Sequence, residues 1–455
     1  MNSLVKYVLE NGGKDYNIMY PQHELQGKYC SCNSTCIWTN EGLLINSRAI
    51  NYRKLFQNDD IDYCSDKANQ TYIFNNNGVY SRNLVMMYKN GDFRFLGETE
   101  YSPSVCSTYY MGLEDCRFVS WNQKIYAYGT RWDKVQDKGC ICIHELDYGL
   151  NPVKEIIVEP LFNSVCEKNW LAVQDQPFTF IYTVNPTVVI KVDENGKANI
   201  IKQEEHRDDL GTEFIKGNTP LVRYSENEYI SLIHITPHDP NATGNVYNYY
   251  TAFIFFDNDF NVTRKSDWFV FKSELCEFCC GLSINGDGKV AITYSQFDGV
   301  SNLLLTDKKT IEKFMNEPNI DRNDVYTFDY YYDLAHEYEN NGQFSAACIL
   351  YNYCSVLAIR ENKSYELRLE CIVRGFCSIL IDIDTVIVKE LYQTVNNCIW
   401  KQIPDYPDSC ELYYLSAYLY KDYDWERYLE CKKMGDERIL NIHNYFFRYF
   451  DPIYL

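Results

Sequence analysis

FTFIYTVNPTVVIKVDENG, residues 178–196, consists of two short runs of β-forming residues separated by a tight connection and closed by an Asp-Glu-Asn-Gly turn. Runs of this kind recur up to about residue 308, and no helical pattern longer than about two turns interrupts them. The other clear runs are LLINSR at 43–48, KIYAYGTR at 124–131, EYISLIHI at 228–235, TAFIFF at 251–256 and KVAITYS at 289–295. Further turn signals stand at residues 90–92 and 285–288. This region therefore predicts short strands joined by hairpins.

About 300 residues of hairpin-linked strands must close on themselves, because open sheets of that extent leave long unpaired edges. A propeller of four-stranded blades closes such a chain at roughly 40–60 residues a blade. The sequence therefore predicts a five-bladed β-propeller over residues 1–308. A pair of β-sandwiches stays open as the alternative at this stage.

From residue 309 to residue 455 the apolar spacing is helical. The string YYDLAHEYENNGQFSAACILYNY, residues 331–353, looks like a tetratricopeptide-type (TPR-like) helix pair, whose period is about 34. Weaker pairs follow at 365–381 with 385–400 and at 410–420 with 425–434, and a last helix is predicted over 437–450. Such an α-helical repeat domain offers a concave face that suits a protein partner. A purely structural buttress for the propeller is the competing interpretation.

Charge and cysteine content restrict the partners and the compartment. The formal net charge is -20, which repels nucleic acid and anionic membranes, so neither is expected as a partner. The N-terminus MNSLVKYVLENGG has no apolar signal region, and 19 cysteines without a secretion signal indicate reduced thiols in the cytoplasm. The cysteine clusters at 30–36 and 276–280 lack a second pair at zinc-site spacing, so we expect no metal.

The stretch with the most chemical potential is MGLEDCRF, residues 111–118, directly before a strong strand. An acid pair beside an arginine, on a loop that leads into a strand, lies where a propeller exposes its chemistry. A carboxyl group serves as a general acid when burial raises its pKa, or stays ionised when an arginine holds it. By spacing alone, such a string is more often a solvated turn.

This string resembles the GLEDPR signature of the mannoside phosphorylase family of five-bladed propellers (glycoside hydrolase family 130) and its glycosyltransferase relatives. Four further stretches are similar to that family in the same chain order. They are Asn33-Ser34-Thr35 with residues 45–52, Glu167-Lys168-Asn169-Trp170, Lys216-Gly217-Asn218-Thr219-Pro220 followed by His234, and residues 277–282 with Tyr294 to Asp298. The similarity spans about residues 30 to 300 and leaves out the helical tail.

The resemblance implies roles for particular residues. Asp115 takes the position of the single protein acid, which protonates the glycosidic oxygen while phosphate acts as the nucleophile. The positions implied for phosphate binding are Arg48, Lys168, Lys216 and His234, and Arg131 is a weaker addition. The positions implied for contact with the sugar are Glu114, Asn169, Tyr294 and Asp298.

Three departures from the family pattern leave the identity of the sugar open. Cys116 replaces a proline, Ser295-Gln296-Phe297 replaces small residues, and Lys216 is shifted by a residue or two. The resemblance implies no cofactor, with inorganic phosphate, a sugar phosphate or a nucleotide sugar as co-substrate.

The predicted function is that of a carbohydrate-active enzyme that transfers a glycosyl group to or from phosphate or a phosphorylated sugar donor. It is either a β-mannoside phosphorylase-like enzyme or a glycosyltransferase. The alternative is a non-catalytic propeller that binds or scaffolds glycans, which predicts that the basic residues do not converge. An inverting hydrolase needs a second carboxylate about 6.5–9.5 Å from the first, and neither Asp298 nor Glu167 is selected for that role by a pattern. A WD-type interaction propeller is rejected, because its blade signatures are missing.

Overall fold

The computed structural model describes residues 3–21, 29–56, 70–74, 79–101, 110–133, 138–211, 215–236, 249–272, 276–316, 326–383, 389–421, 424–438 and 446. Contacts divide the chain into two compact units. The first contains Met1–Pro21, Ser31–Ile50 and Gly78–Asp324, and the second contains Gln22–Cys30, Asn51–Asn77 and Val325–Leu455. The predicted domain boundary after residue 308 stays a prediction.

The first three sheets of the first unit follow one another along the chain. Blade one contains β2 (Cys30–Trp38), β3 (Leu43–Ile50), β6 (Val79–Lys89) and β7 (Asp92–Glu98), with β8 (Tyr110–Met111) beside β6. Blade two contains β9 (Glu114–Trp121), β10 (Lys124–Asp133), β11 (Lys138–Leu146) and β12 (Pro152–Ile157). Blade three contains β13 (Leu171–Ala172), β14 (Thr179–Thr183), β15 (Val188–Val192) and β16 (Ala198–Gln203).

Two more sheets complete the arrangement. Blade four contains β17 (Lys216–Gly217), β19 (Glu228–Ile235), β20 (Tyr250–Asp257) and β21 (Val262–Lys265), with β18 (Val222–Arg223) beside β19. Blade five contains β22 (Glu277–Ile284), β23 (Lys289–Gln296), β24 (Val300–Asp307) and, from the start of the chain, β1 (Lys14–Asn17). The predicted five-bladed β-propeller is confirmed, and each of the seven runs quoted above lies in a strand.

Burial shows which strand of a blade is innermost. The residues of β2, β9 and β22 are almost all buried, whereas the outer strands β7, β12 and β16 are largely exposed or alternate between exposed and half-buried residues. Large side chains fill the space between blades two and three, where Trp121 and Trp170 pack around Phe180. The core of the unit therefore lies between the sheets, and the innermost strands carry the polar residues that face one another.

The N-terminal segment closes the ring. β1 pairs with β24 in antiparallel register, from Lys14 opposite Leu305 to Asn17 opposite Asn302. Asp15 of β1 forms an ion pair of 2.8 Å with Lys272, whose side chain is fully buried. The helix α1 (Leu4–Glu10) precedes β1, and α2 (Lys308–Asn316) follows β24 and packs Phe314 against Tyr7 of α1.

The described residues of the second unit form helices and one β-hairpin, with Cys30 at the start of β2. Its described helices are α3 (Phe328–Asn340), α4 (Phe344–Arg360), α5 (Tyr365–Ile383), α6 (Lys389–Gln402), α7 (Cys410–Tyr420) and α8 (Trp425–Asp436). The hairpin of β4 (Tyr52–Phe56) and β5 (Gln70–Phe74) packs against α4 and α6. The predicted C-terminal helical region is confirmed, and its TPR-like character stays a prediction. The last helix predicted, 437–450, lies mostly outside the described residues.

Cysteines of both clusters pack inside strands. Cys30, Cys32 and Cys36 lie buried in β2, and Cys279 and Cys280 lie buried in β22. Burial raises the pKa of the Cys36 thiol to about 12, so this thiol stays protonated. Across the described ranges, no group of three or more His, Cys, Asp and Glu side chains is placed to hold a metal ion. The helices in these ranges are also too short or too polar to cross a membrane.

Candidate active site

Asp115 lies where the chain enters the innermost strand of blade two. It is the second residue of β9, it is 6% exposed, and its backbone is left-handed with φ of 51°. Gly112, three residues earlier, has φ of 85°, and a Cβ at this position would lie 1.9 Å from the carbonyl oxygen of Ser81. Only glycine allows this close approach, so the glycine of the MGLEDCRF stretch sets the path that brings Asp115 inward.

The carboxylate of Asp115 is held by blade one. Its Oδ1 accepts hydrogen bonds from Arg48 Nη1 at 3.1 Å and from Asn33 Nδ2 at 2.8 Å. Arg48 is also fixed by its Nε, which donates to Ser81 Oγ at 2.8 Å, and its Nη1 lies 3.4 Å from Glu114 Oε1. Arg48 therefore pairs with both carboxylates of the acid pair.

Asn33 connects this carboxylate to blade five. Its backbone is also left-handed, with φ of 45°, and its Oδ1 accepts a hydrogen bond of 2.6 Å from Ser295 Oγ. Since its amide donates to Asp115 and its carbonyl accepts from Ser295, the orientation of Asn33 is set from both sides. Three blades thus meet at one side chain.

Arg117 connects the same residue to blade four and to the loop before β13. Its guanidinium donates to the backbone carbonyl oxygen of Asp115 at 2.8 Å, to Asn169 Oδ1 at 3.1 Å and to the carbonyl oxygen of Asn218. Arg117 is only 1% exposed, and Asn169 has φ of 66°. A buried cation with three acceptors from three segments is a strong positional constraint.

Lys216 and His234 are direct cross-strand partners on β17 and β19. His234 is buried, and its Nδ1 is hydrogen-bonded to Asn218 Oδ1, so Nδ1 carries the proton of a neutral ring. Burial lowers the pKa of His234 well below its usual value, and the charges of Lys216, Arg117 and Lys168 add to this effect. The pKa of Lys216 is lowered as well, by its burial and by Lys168.

Asp115 is ionised despite its burial. Burial opposes the charged form, but Arg48, Arg117 and Lys168 together with the hydrogen bond from Asn33 hold the pKa of Asp115 below its usual value. Lys168 itself is exposed, and it acts electrostatically on Asp115, His234 and Lys216 alike. Asp115, His234 and Lys216 therefore all lie within the range of the charge of Lys168.

Most of the residues singled out in the sequence converge here. The structure brings together Asp115, Glu114, Arg48, Lys168, Asn169, Lys216 and His234. Asp298 follows Gln296 in the turn between β23 and β24, at the same end of blade five as Ser295. It is half-buried.

Two predicted site residues lie elsewhere. Tyr294 is fully buried, stacks on Phe271 at 4.3 Å and donates to Asp15 Oδ1 at 3.0 Å, so its ring faces the closure strand rather than a sugar. Arg131 is buried and pairs with Glu155 inside blade two. Glu167, considered as a second carboxylate, accepts hydrogen bonds from Trp170 and Tyr182, and burial raises its pKa.

Asn33 and Asn218 had no role of their own in the sequence analysis, and Arg117 entered it only as the arginine beside the acid pair. Arg117 stands two residues after Asp115, and that spacing on a strand is a signal that the two lie on one face. Asn33 and Asn218 stand in stretches matched to the family, but nothing in their spacing shows their hydrogen bonds. Asn218 is 1% exposed, and its Nδ2 has no hydrogen-bond partner among the described residues.

No protein-family model and no curated protein sequence matches this chain. Solved structures similar to it include a β-1,2-mannobiose phosphorylase from Listeria innocua, with 9% identity, a TM-score of 0.42 and coverage of 66% of this chain and 99% of that one. A mannose phosphorylase from Leishmania mexicana, in complex with a phosphate ion, has 14% identity and a TM-score of 0.38 and covers 70% and 97%. A glycosyl hydrolase from Bacteroides ovatus has 12% identity and a TM-score of 0.39 and covers 62% and 85%.

Proposed function

We propose that this protein transfers a glycosyl group to or from phosphate or a phosphorylated sugar donor, with Asp115 as the proton donor. The observation that carries the proposal is the convergence of Arg48, Arg117 and Lys168 on one buried carboxylate, with Lys216 beside the neighbouring His234. The non-catalytic alternative predicts that the basic residues do not converge. The motif resemblance, which places the acid at the same residue, supports the proposal independently of the geometry.

The local charge favours an anionic co-substrate. Arg48, Arg117 and Lys168 act on the carboxylate of Asp115, and Lys216 acts on the neighbouring His234, in a chain whose net charge is -20. A dianion is costly to remove from water unless cations and hydrogen-bond donors replace its hydration. The buried Nδ2 of Asn218, beside His234 and Arg117, is a donor that a bound anion would satisfy.

Binding of the anion also explains how an ionised aspartate can become a proton donor. In the described structure, Arg48 and its neighbours hold Asp115 as a carboxylate. An anion that binds beside these cations partly neutralises them and so raises the pKa of Asp115. Oδ1 is occupied by Arg48 and Asn33, so Oδ2 is the oxygen that takes the proton.

In the proposed step, Asp115 gives this proton to the glycosidic oxygen as the bond between that oxygen and the anomeric carbon breaks. A phosphate oxygen forms the new bond to the anomeric carbon. The products are a sugar 1-phosphate and a sugar with a free hydroxyl group, and Asp115 returns to its ionised form. In the reverse direction the same groups extend a glycan.

Hydrolysis is less well supported. Glu114 and Asp115 both lie within 3.4 Å of the same Arg48 nitrogen, so these carboxylate oxygens are at most about 6.5 Å apart, the lower limit for an inverting pair. Both are ion-paired to Arg48 rather than placed on opposite sides of a sugar. Glu167 is bonded to Trp170 and Tyr182.

A glycan-binding propeller without catalysis is the second candidate. The observation that favours it is the ion pair between Arg48 and Asp115, which occupies one oxygen of the proposed acid. A thermal-shift titration with phosphate, mannose 1-phosphate and GDP-mannose separates the two. At about a hundred times its dissociation constant, a ligand adds roughly 2.7 kcal/mol of stability.

The titration compares wild type with Arg48→Ala and with Arg94→Ala. Arg94 is the matched control, because it is exposed on β7 of the same sheet. A shift with phosphate or sugar phosphate that Arg48→Ala alone abolishes supports a phosphorylase, and a shift with GDP-mannose alone supports a transferase. The absence of any shift with all three ligands would favour the non-catalytic propeller.

A further inference from the structure

The segment 158–170 connects blade two to blade three and ends at the candidate active site, where Asn169 accepts a hydrogen bond of 3.1 Å from Arg117. Among the described residues of this segment, two large apolar side chains are open to solvent. Phe162 is 65% exposed and Val165 is 66% exposed. The proposed reaction assigns no role to either side chain.

The backbone of this segment is hydrogen-bonded to blade two. The N–H of Gly139, the second residue of β11, donates to the carbonyl oxygen of Val165 at 3.0 Å, and the N–H of Glu167 donates to the carbonyl oxygen of Gly139 at 2.8 Å. A Cβ at position 139 would lie 2.7 Å from Cys166 Sγ, so the glycine allows the segment to approach this closely. Val165 is therefore held at a fixed place, with its side chain in solvent.

Phe162 has a backbone conformation that bulky residues avoid. Its φ is 53° and its ψ is 25°, in the left-handed region. Its ring contacts that of Tyr182 with a centroid distance of 5.6 Å, and Tyr182 in turn donates to Glu167 Oε1 at 3.2 Å. Packing in the core does not explain a strained residue whose side chain stays largely in solvent. Backbone strain of this kind concentrates at sites that bind ligands.

The segment lies next to Glu114. Thr130, the direct cross-strand partner of Glu114, donates from Oγ1 to the carbonyl oxygen of Glu167 at 2.8 Å. The charges of Glu114 and Asp115 also reach the thiol of Cys166, although burial is the main cause of its raised pKa. In the proposed reaction Asp115 gives its proton to the glycosidic oxygen, so the leaving sugar lies beside Asp115. A leaving glycan that continues past Glu114 therefore runs toward this segment.

The two apolar side chains lie further from the acid than one sugar ring extends. Glu114 is in β9 and Gly139 is in β11, with β10 between them. Neighbouring strands are about 4.8 Å apart, so roughly 10 Å or more separates these two residues. Val165 is bonded to the far one of them. A glycan that reaches from Asp115 to this surface thus extends more than one unit beyond the bond that breaks.

We propose that Phe162 and Val165 form a distal subsite for the leaving glycan, which makes the substrate an oligosaccharide longer than a disaccharide. The apolar face of a pyranose ring packs on the exposed ring of Phe162, and Val165 extends this surface. In the reverse direction the same subsite holds the chain that is extended. The inference rests on the proposed function, because the role of Asp115 places the bond that breaks.

The test is the dependence of turnover on glycan length. Full-length wild type and Phe162→Ala are given β-linked mannobiose, mannotriose and mannotetraose with phosphate, or the same glycans as acceptors with GDP-mannose. In wild type, kcat/KM should be about fivefold to twentyfold higher for the longest glycan than for mannobiose, the effect of burying part of one aromatic side chain. In Phe162→Ala this ratio should fall toward one. The ratio is the readout, because a loss of active protein lowers both rates equally.

Three further variants complete the test. Phe162→Tyr keeps an aromatic ring and should keep the preference for longer glycans, whereas Val165→Ser should reduce it. Tyr148→Ala is the matched control, because Tyr148 is an exposed aromatic residue in the turn between β11 and β12, at the opposite end of blade two from Glu114. It should leave the ratio as in wild type.

A preference for longer glycans that Phe162→Ala and Val165→Ser leave unchanged overturns the inference. So does a wild type that uses mannobiose as well as it uses the longer glycans, and in both cases the proposed function stands. No reaction of wild type with any of these glycans, either with phosphate or with GDP-mannose, overturns the proposed function and this inference together.

Discussion

The amide nitrogen of Asn33 lies 2.8 Å from Oδ1 of Asp115 and donates to it across the boundary between blades one and two. Ser295 of blade five holds the other end of the same amide. The proton-donating group of the proposed reaction is therefore positioned by residues far apart in the chain rather than by its own loop. This arrangement makes the site sensitive to changes that do not touch substrate.

Replacement of Asp115 by asparagine should abolish glycosyl transfer while the protein stays folded. Asparagine keeps the size of the side chain but has no proton to give to the glycosidic oxygen, and general acid catalysis contributes typically 10²–10⁴-fold. Phosphorolysis assays and a thermal melt measure the two properties. Asp92→Asn, on an exposed residue at the start of the outer strand β7, is the control and should leave turnover unchanged. Turnover equal to wild type in Asp115→Asn removes Asp115 from the acid role.

Binding of an anion at the site should be accompanied by proton uptake. Arg48, Arg117 and Lys168 lower the pKa of Asp115, and a bound anion offsets their charge, so the carboxylate takes up a proton as the anion enters. Sulfate is the suitable probe near pH 5, because it does not titrate there. Calorimetry in buffers of different ionisation enthalpy gives the number of protons, and uptake should vanish in Asp115→Asn. Equal uptake in both proteins would assign the proton to another group.

Loss of the donor from Asn33 should shift the pH dependence of turnover. In Asn33→Ala, Oδ1 of Asp115 loses one of its two hydrogen bonds, and the pKa of Asp115 rises. The acid form of Asp115 then persists to higher pH, so the alkaline limb of the pH–rate profile shifts to higher pH. The maximal rate falls, because Asp115 is positioned less well. Asn199→Ala, on the edge strand β16, serves as the control. A lower rate with an unmoved profile would indicate a purely structural role.

Stability should fall as the pH drops from about 6.5 toward 4. Burial and the charge of Arg131 lower the pKa of His144 to about 4, so the unfolded chain binds a proton that the folded chain does not. The uncharged His144 therefore contributes stability that is fully present above the pKa of the unfolded chain and decreases below it. The loss of stability at pH 5 is about 2 kcal/mol. Neither ring nitrogen of His144 has a hydrogen-bond partner among the described residues, so His144→Phe removes no bond. Urea titrations at pH 7 and pH 5 should show a smaller difference in this variant, and an identical difference would contradict the assignment.

Replacement of Asp15 by alanine should destabilise the propeller. The buried ammonium group of Lys272 then loses the carboxylate of Asp15, and breaking a buried ion pair costs up to about 3–5 kcal/mol. The free energy of unfolding in urea measures the effect. Lys124→Ala breaks an exposed ion pair with Glu145 and should cost less than about 1 kcal/mol. A similarly small loss of unfolding free energy in both variants would show that the ion pair between Asp15 and Lys272 does not stabilise the position of β1.

Local patterns were sufficient for seven of the strands and for most helices, because alternation and turn residues act over a few positions. The run TVVIKV at 187–192 corresponds to β15, and the helix predicted at 410–420 has the same bounds as α7. The ring closure was not predictable in this way, since nothing near Lys14 indicates a partner at Leu305. The error at Tyr294 has the same origin, because Asp15 arrives from the start of the chain.

At the site, the family-like stretches grouped Arg48, Asp115, Lys216 and His234, and the structure places these residues near one another, while their roles stay predictions. Arg131 was grouped with them because it stands on the strand after the acid, yet its partner Glu155 comes from another strand of the same blade. A strand alternates its side chains between two faces, and the face that Arg131 uses depends on packing between blades. Sequence spacing does not contain that information.

The pairing of β1 with β24 has a consequence for synthesis on the ribosome. Lys14 is made about 290 residues before Leu305, its partner in the sheet. At about 5–20 residues per second, the first strand waits roughly 15–60 seconds before its neighbour exists. Throughout that interval blade five cannot form, and β1 has hydrogen-bonding edges without their native partner. A nascent chain of this protein therefore stays open to competing strand pairings until translation has passed residue 307.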